Sequence, residues 1–284
     1  MTTPTPFGVR LRGAMDAHGP LCVGIDPHRA LLEAWGLPVD VSGLERFAMT
    51  CVEAFAGRVA VVKPQSAFFE VFGSPGVAVL ERVLAALRDS GTLTILDAKR
   101  GDIGSTMEAY AQAFLSDEGP GRADALTVSP FLGYGSLRPA LDLAAATGRG
   151  VFVLALTSNP EGPDVQHADA GGRSVAASVV GGAAADNAAA ADRGELGHVG
   201  LVVGATVGDA VARLGLDLAA SAAPLLAPGL GAQGAGPGDL RSVFGAATAN
   251  VLPNVSRSVL SAGPSVAGLT EAAQRGAEAV RAAL

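Results

Sequence analysis

The chain has 284 residues, 49% of them hydrophobic and 17% charged, which supplies a sizeable core and excludes a disordered chain. A net charge of −7 and a pI near 5.1 leave no electrostatic footprint for nucleic acid or an anionic membrane as a bulk partner. The two cysteines, Cys22 and Cys51, stand apart in apolar runs, which excludes a disulfide framework and a CxxC zinc site and fits a reducing, cytoplasmic setting.

At ~150 residues per domain the length suggests two units, but α/β barrels commonly run to ~250 residues as one. The opening MTTPTPFGVRLRGAMDAHGP lacks the continuous apolar core of a secretory signal, so no export is expected. The longest uncharged stretch, Leu218 to Gly238, carries Pro224, Pro228 and Pro237 and would make a poor membrane helix.

Along the chain, eight β-branched or apolar runs end in polar residues: LCVGIDPH (Leu21 to His28), VAVVKPQ (Val59 to Gln65), TLTILDAK (Thr92 to Lys99), ALTVSP (Ala125 to Pro130), VFVLALTS (Val151 to Ser158), VGLVVGAT (Val199 to Thr206), PLLAPG (Pro224 to Gly229) and NVLPNVSRS (Asn250 to Ser258). Helical patterns lie between them. Ser42 with Glu45, and Ser105 with Glu108, have the Ser-x-x-Glu spacing of a reciprocal N-terminal cap. GVAVLERVLAALRDSG has apolar residues at helical spacing and stops at Gly91, and Ser265 to Leu284 reads as a closing helix.

Eight nearly continuous apolar strands alternating with helices imply an α/β fold of one domain over residues 1–284, a closed (β/α)8 TIM barrel. The segment 159–198, between strands five and six, is longer than one helix and two turns require. Its first part, NPEGPDVQHADAGG, reads as a loop, and SVAASVVGGAAADNAAAAD as a helix weakened at Gly181 and Gly182. A barrel places its chemistry at the C-terminal ends of the strands, so Asp26, Lys63, Asp97, Lys99, Ser158 and Arg257 should converge on one mouth.

The lysines sharpen this expectation. Of 20 basic residues, 18 are arginine and only Lys63 and Lys99 are lysine, and both sit at strand ends in neighbouring runs. In DAKRGDIGST, Asp97 and Lys99 at i and i+2 share a strand face, with Asp102 on the loop just beyond. One reading is a buried ion pair with a solvated loop carboxylate. The other is a pre-organised array that presents an ammonium where negative charge develops and a carboxylate where it departs; two unit charges ~4 Å apart interact by ~4 kcal/mol at an effective dielectric of 20.

Taken together, GIDPH, VKPQSAFFE, DAKRGDIGST, TSNP, APGLGAQG and NVSRS resemble the orotidine 5′-phosphate decarboxylase family, in the branch whose third strand reads DAKRGDIG. The resemblance runs in order from the first strand to the eighth. It implies decarboxylation of orotidine 5′-phosphate (OMP) to uridine 5′-phosphate (UMP) with no metal and no organic cofactor. Lys99 would then donate the proton to C6 of the pyrimidine and stabilise the carbanion, Asp97 would lie beside the departing carboxylate, and Lys63 would bridge Asp97 and the ribose. Asp102, with Ile103 and Thr106, would reach across a homodimer interface into the partner's site.

By the same resemblance Asp26 binds a ribose hydroxyl, although an Asp before Pro also starts turns. Ser158 would hydrogen-bond the pyrimidine amide. The glycine loop GLGAQG fits GxGxxG, yet it follows the seventh strand and lacks the acidic partner of a dinucleotide site. Amides of Gly231 and Gly234, Gln233 and the Arg257 fork would together hold a phosphomonoester, Gln233 also meeting the pyrimidine end; alternatively Arg257 forms a strand-end salt bridge. His28 is expected to orient its loop, and Trp35, Tyr110 and Tyr134 to pack. Two other activities compete: a metal-dependent sugar-phosphate decarboxylase or synthase of the same barrel superfamily, whose DxKxxD signature accompanies an acidic metal ligand where this chain has Lys63, and a non-catalytic phosphate-binding barrel.

Overall fold

A computed structural model describes residues 4–230 and 236–284. Its eight strands, β1 (Cys22–Ile25), β2 (Val61–Pro64), β3 (Leu93–Arg100), β4 (Ala125–Val128), β5 (Gly150–Leu156), β6 (Val199–Val203), β7 (Leu225–Pro228) and β8 (Val251–Val255), fall on the eight expected runs. All pair in parallel in chain order, and β1 also pairs with β8 through Cys22↔Asn254 and Val23↔Val255, so the sheet closes as a barrel with no free edge. Among the described residues no helix is long and apolar enough to cross a membrane.

Two packing layers follow from the strand pattern. Outward side chains such as Val23, Val62, Leu96 and Val153 meet the surrounding helices in one continuous core. A second cluster joins Val61, Ile95, Phe152, Leu226 and Leu252 of the strands to Phe7, Leu11 and Met15 of the helix Phe7–His18. Phe7 meets the Phe152 ring edge-on at 5.9 Å, and a Cβ on Gly150 would stand 2.4 Å from the Phe7 ring. Burying each such side chain contributes about 1.5–3 kcal/mol. This helix covers the N-terminal halves of the strands and leaves the opposite end as the mouth.

The helix ends differ from the sequence expectation. Asp40, not Ser42, caps the helix Val41–Phe55: its Oδ1 accepts from the amides of Ser42 and Gly43, and Glu45 pairs instead with Arg82. Ser105 lies inside the first turn of Gly104–Leu115, whose N-cap is Ile103 with no side-chain cap. In both cases the helix begins earlier than the Ser-x-x-Glu spacing implied, because a residue upstream adopts the extended N-cap conformation first. Ser265 does cap the closing helix Val266–Ala283, accepting from the Gly268 amide.

Between β5 and β6 the expected loop contains a short helix, Gly162–Gln166, before the long helix Val175–Ala191 capped by Ser174. Gly182 has a packing role there. A Cβ at that position would come 2.7 Å from the Tyr134 ring, whose hydroxyl donates to Asp186 Oδ2 at 2.6 Å while Arg138 grips the same carboxylate at 2.8 and 2.7 Å. Tyr134 is thus a hydrogen-bonding residue as well as a packing one.

Candidate active site

The C-terminal strand ends surround a cavity of about 470 Å³. Asp26, Lys63, Asp97, Lys99, Ser158 and Arg257 all line it, as the strand periodicity required.

Asp97 is its electrostatic centre. The carboxylate is buried and accepts four hydrogen bonds: Oδ1 from Lys99 Nζ at 2.6 Å and Thr127 Oγ1 at 3.0 Å, Oδ2 from Lys63 Nζ at 2.7 Å and Gln65 Nε2 at 3.0 Å. That fills its acceptor capacity. Burial alone would raise its pKa, but the Lys63 and Lys99 ammoniums outweigh it and hold the carboxyl well below the usual carboxylate range. Lys63 is its mirror image. Desolvation would push the buried amine down, yet Asp97 foremost, then Asp26 and Cys22, hold it above the ordinary lysine value. Lys63 is sealed into the wall with its side chain 4% exposed, whereas Lys99 is 47% exposed and faces the cavity.

Backbone geometry sets this difference. The β3–β4 register jumps from Leu96↔Leu126 to Arg100↔Val128, so β3 advances four residues while β4 advances two. Within this bulge Lys99 has φ +47°, a left-handed conformation costing a non-glycine residue about 1–3 kcal/mol. The next residue, Arg100, turns outward to pair with Glu70 Oε1 at 2.5 Å and lies over the rings of Tyr110 and Phe114.

Around the rim, Asp26 presents a buried Oδ1 that has no hydrogen-bond partner among the described residues. A buried acceptor in this state is costly unless a ligand donor reaches it. Arg257 opens the short helix Arg257–Leu260 directly after β8 and, among the described residues, enters no ion pair, which argues against the strand-end salt bridge. His28 lines the cavity at the head of the helix Arg29–Ala34, its ring 6.0 Å from that of Phe68. Gly231, Gln233 and Gly234 lie outside the described residues.

Of the charges in the DAKRGDIG motif, Asp97 and Lys99 meet in the cavity, but Asp102 does not join them within one chain. Asp102 does not line the cavity; its Oδ1 accepts from the Ile103 amide at 2.8 Å. Ile103 is 61% exposed and Thr106 is exposed, and neither lines the cavity. Beside this turn, Ser129 N donates to Arg100 O, and the turn that follows exposes Phe131 and Leu132. Three large apolar side chains, Ile103, Phe131 and Leu132, are therefore exposed on the two turns that follow β3 and β4.

Sequence reasoning missed three residues. Gln65 shares the Lys63 strand face at i+2, so the period was there to find it. Thr127 and Asn254 were polar interruptions in apolar runs; Asn254 Nδ2 donates to Cys22 O at 3.1 Å beneath the site, where burial foremost pushes the Cys22 thiol up to about 12.

Comparison with known proteins places this geometry. Residues 19–272 match the model of the orotidine 5′-phosphate decarboxylase / HUMPS family. The chain is 62% identical over 283 residues to the orotidine 5′-phosphate decarboxylase of Streptomyces coelicolor and 61% identical over 279 residues to that of Salinispora arenicola, covering 98% of each chain in both cases. It superposes with a TM-score of 0.94, at 61% identity over 99% of this chain and 97% of the other, on a crystal structure from Streptomyces avermitilis described as an orotidine 5′-phosphate decarboxylase. With a family model matched over most of its length and relatives at 62% and 61% identity over 98% of each chain, the chain belongs to the orotidine 5′-phosphate decarboxylase / HUMPS family.

Proposed function

We propose that the chain catalyses decarboxylation of OMP to UMP and CO2. The observation that carries this reading is the Asp97 carboxylate clamped between Lys63 and Lys99 at 2.7 and 2.6 Å in the barrel mouth. Family membership and relatives of that name at 62% and 61% identity support it.

In this reading the C6–carboxylate bond of the pyrimidine breaks, CO2 leaves, and the electron pair stays on C6. The Lys99 ammonium stabilises that charge and transfers its proton to C6, and its exposed side chain regains a proton from solvent. Asp97 lies beside the departing carboxylate and, accepting from four donors, keeps Lys99 charged and aimed. Lys63 bridges Asp97 and the ribose, and the unpartnered Asp26 oxygen accepts a ribose hydroxyl. Arg257, with Gln233 and the amides of Gly231 and Gly234, holds the phosphate, and Ser158 meets the pyrimidine amide. Phosphate binding far from C6 supplies energy for orienting the ring.

The active unit in this reading is a homodimer. Asp102, Ile103 and Thr106 enter the partner's site, and exposed Ile103, Phe131 and Leu132 form the apolar part of the contact. The setting is cytoplasmic, consistent with two free, buried cysteines and a phosphorylated substrate. A metal-dependent reaction is disfavoured by charge: Lys63 already occupies Asp97 Oδ2, and an ammonium there repels a divalent cation.

The test is spectroscopic. Purified protein mixed with OMP and a chelator should consume the ultraviolet absorbance of OMP at the same rate as without the chelator. Loss of the activity on chelation would transfer the assignment to the metal-dependent relatives, and no absorbance change in either sample would leave a binding barrel.

A further inference from the structure

One buried hydroxyl is committed to the site without touching the cavity. Thr127, on β4, is 1% exposed and does not line the mouth. Its Oγ1 donates to Asp97 Oδ1 at 3.0 Å and accepts from the backbone amides of Ala98 at 3.1 Å and Lys99 at 3.0 Å. A hydroxyl has one proton and two lone pairs, so all three capacities are in use. Because both lone pairs are taken by amide donors, the hydroxyl proton can only point at Asp97, and Asp97 Oδ1 must be an acceptor.

The three partners are the parts of the site that most need fixing. The two amides belong to the bulge in β3, where the ladder to β4 skips from Leu96 to Arg100 and supplies no regular partner. One of them is the amide of Lys99 itself, held at φ +47°. The carboxylate oxygen that Thr127 holds is the same one that receives Lys99 Nζ at 2.6 Å.

We propose that Thr127 is a positioning residue for the reaction: its single hydroxyl locks the left-handed backbone of Lys99 to the carboxylate that aims the Lys99 ammonium. The inference rests on the decarboxylase reading above and extends it to a residue that does not meet substrate. It requires that the hydroxyl, not the volume of the side chain, be what the site needs.

Thr127→Val keeps the shape and removes the hydroxyl, Thr127→Ser keeps the hydroxyl, and Thr127→Cys keeps the size with a weak hydrogen-bonding group. Wild type and the three variants are assayed with OMP, each normalised to the sites that bind UMP. For Thr127→Val, kcat should fall by ~10–100-fold with KM within about 3-fold of wild type, since a misplacement of about 1 Å can cost ~10²-fold in rate. Thr127→Ser should recover to within about 3-fold of wild type.

A kcat that tracks only the folded fraction, or a serine variant as slow as valine, would overturn the proposal. If the valine variant does not fold, Thr127→Cys decides: a kcat reduced ~10-fold at unchanged KM supports it, and an unchanged kcat overturns it. Absence of turnover in wild type would overturn the decarboxylase reading and this one together, whereas turnover insensitive to Thr127 overturns this one alone.

Discussion

Lys63 and Lys99 grip opposite oxygens of one carboxylate, Lys63 Nζ at 2.7 Å from Asp97 Oδ2 and Lys99 Nζ at 2.6 Å from Oδ1. The pair divides the labour by exposure. Sealed in the wall, Lys63 fixes the charge of Asp97, and Lys99, half in the cavity, is free to meet a substrate. The only two lysines of the chain therefore hold one anion from opposite sides, one buried and one half-exposed.

That arrangement has a pH signature in stability. The Asp97 carboxyl is held below its ordinary value of 3.8, so its contribution is complete above about pH 4 and is lost as pH falls. Lys63 is held above 10.5, so its contribution is complete below that pH and is lost as pH rises through its folded value. Asp97→Asn leaves Lys63 buried without its counter-charge and should lower the unfolding free energy at pH 7 by about 3–5 kcal/mol. In urea titrations the gap to wild type should narrow by about 1 kcal/mol at pH 3. A gap that is small at pH 7, or constant down to pH 3, contradicts this assignment of charges.

The phosphate role proposed for Arg257 separates binding from chemistry at the ring. Arg257→Ala should reduce kcat/KM for OMP by ~10²–10³-fold, the scale of a lost charge-assisted fork contact. With orotidine, which lacks the phosphate, wild type and variant should be equally poor. A comparable loss with orotidine would show that Arg257 acts elsewhere.

The proposed homodimer makes a stoichiometric prediction. Lys99→Ala and Asp102→Ala subunits, each nearly inactive alone, should regain activity when unfolded and refolded together, because a mixed dimer contains one site with Lys99 from one protomer and Asp102 from the other. Random pairing gives half mixed dimers with one complete site each, hence roughly a quarter of wild-type activity. No recovery would place Asp102 outside the partner's site.

Much of this was legible in the sequence, for identifiable reasons. Parallel strands buried on both faces read as apolar runs, and each polar terminus marked the mouth, so Asp26, Lys63, Asp97, Lys99, Ser158 and Arg257 could be placed together before any coordinates. What escaped was set by tertiary context. The bulge at Lys99 leaves no period for a strand pattern to show, and Thr127 became part of the site only because that bulge left two amides for it to receive. The cap at Asp40 outcompeted the Ser42 spacing by lying two residues earlier in the extended conformation. The helix Phe7–His18 has a weakly patterned sequence, and its place under the barrel follows from Phe7 meeting Phe152 across 145 residues of chain, the difference of their numbers.

The account stands most directly on Lys99→Ala. Its kcat for OMP should fall by at least ~10⁴-fold, since it removes both the proton donor and the charge that stabilises the carbanion. Its affinity for UMP, measured by calorimetry on the same preparation, should stay within about 10-fold of wild type, because the phosphate and ribose contacts remain. A variant that binds UMP and still turns over OMP at a substantial fraction of the wild-type rate would contradict the assignment of Lys99 as the proton donor.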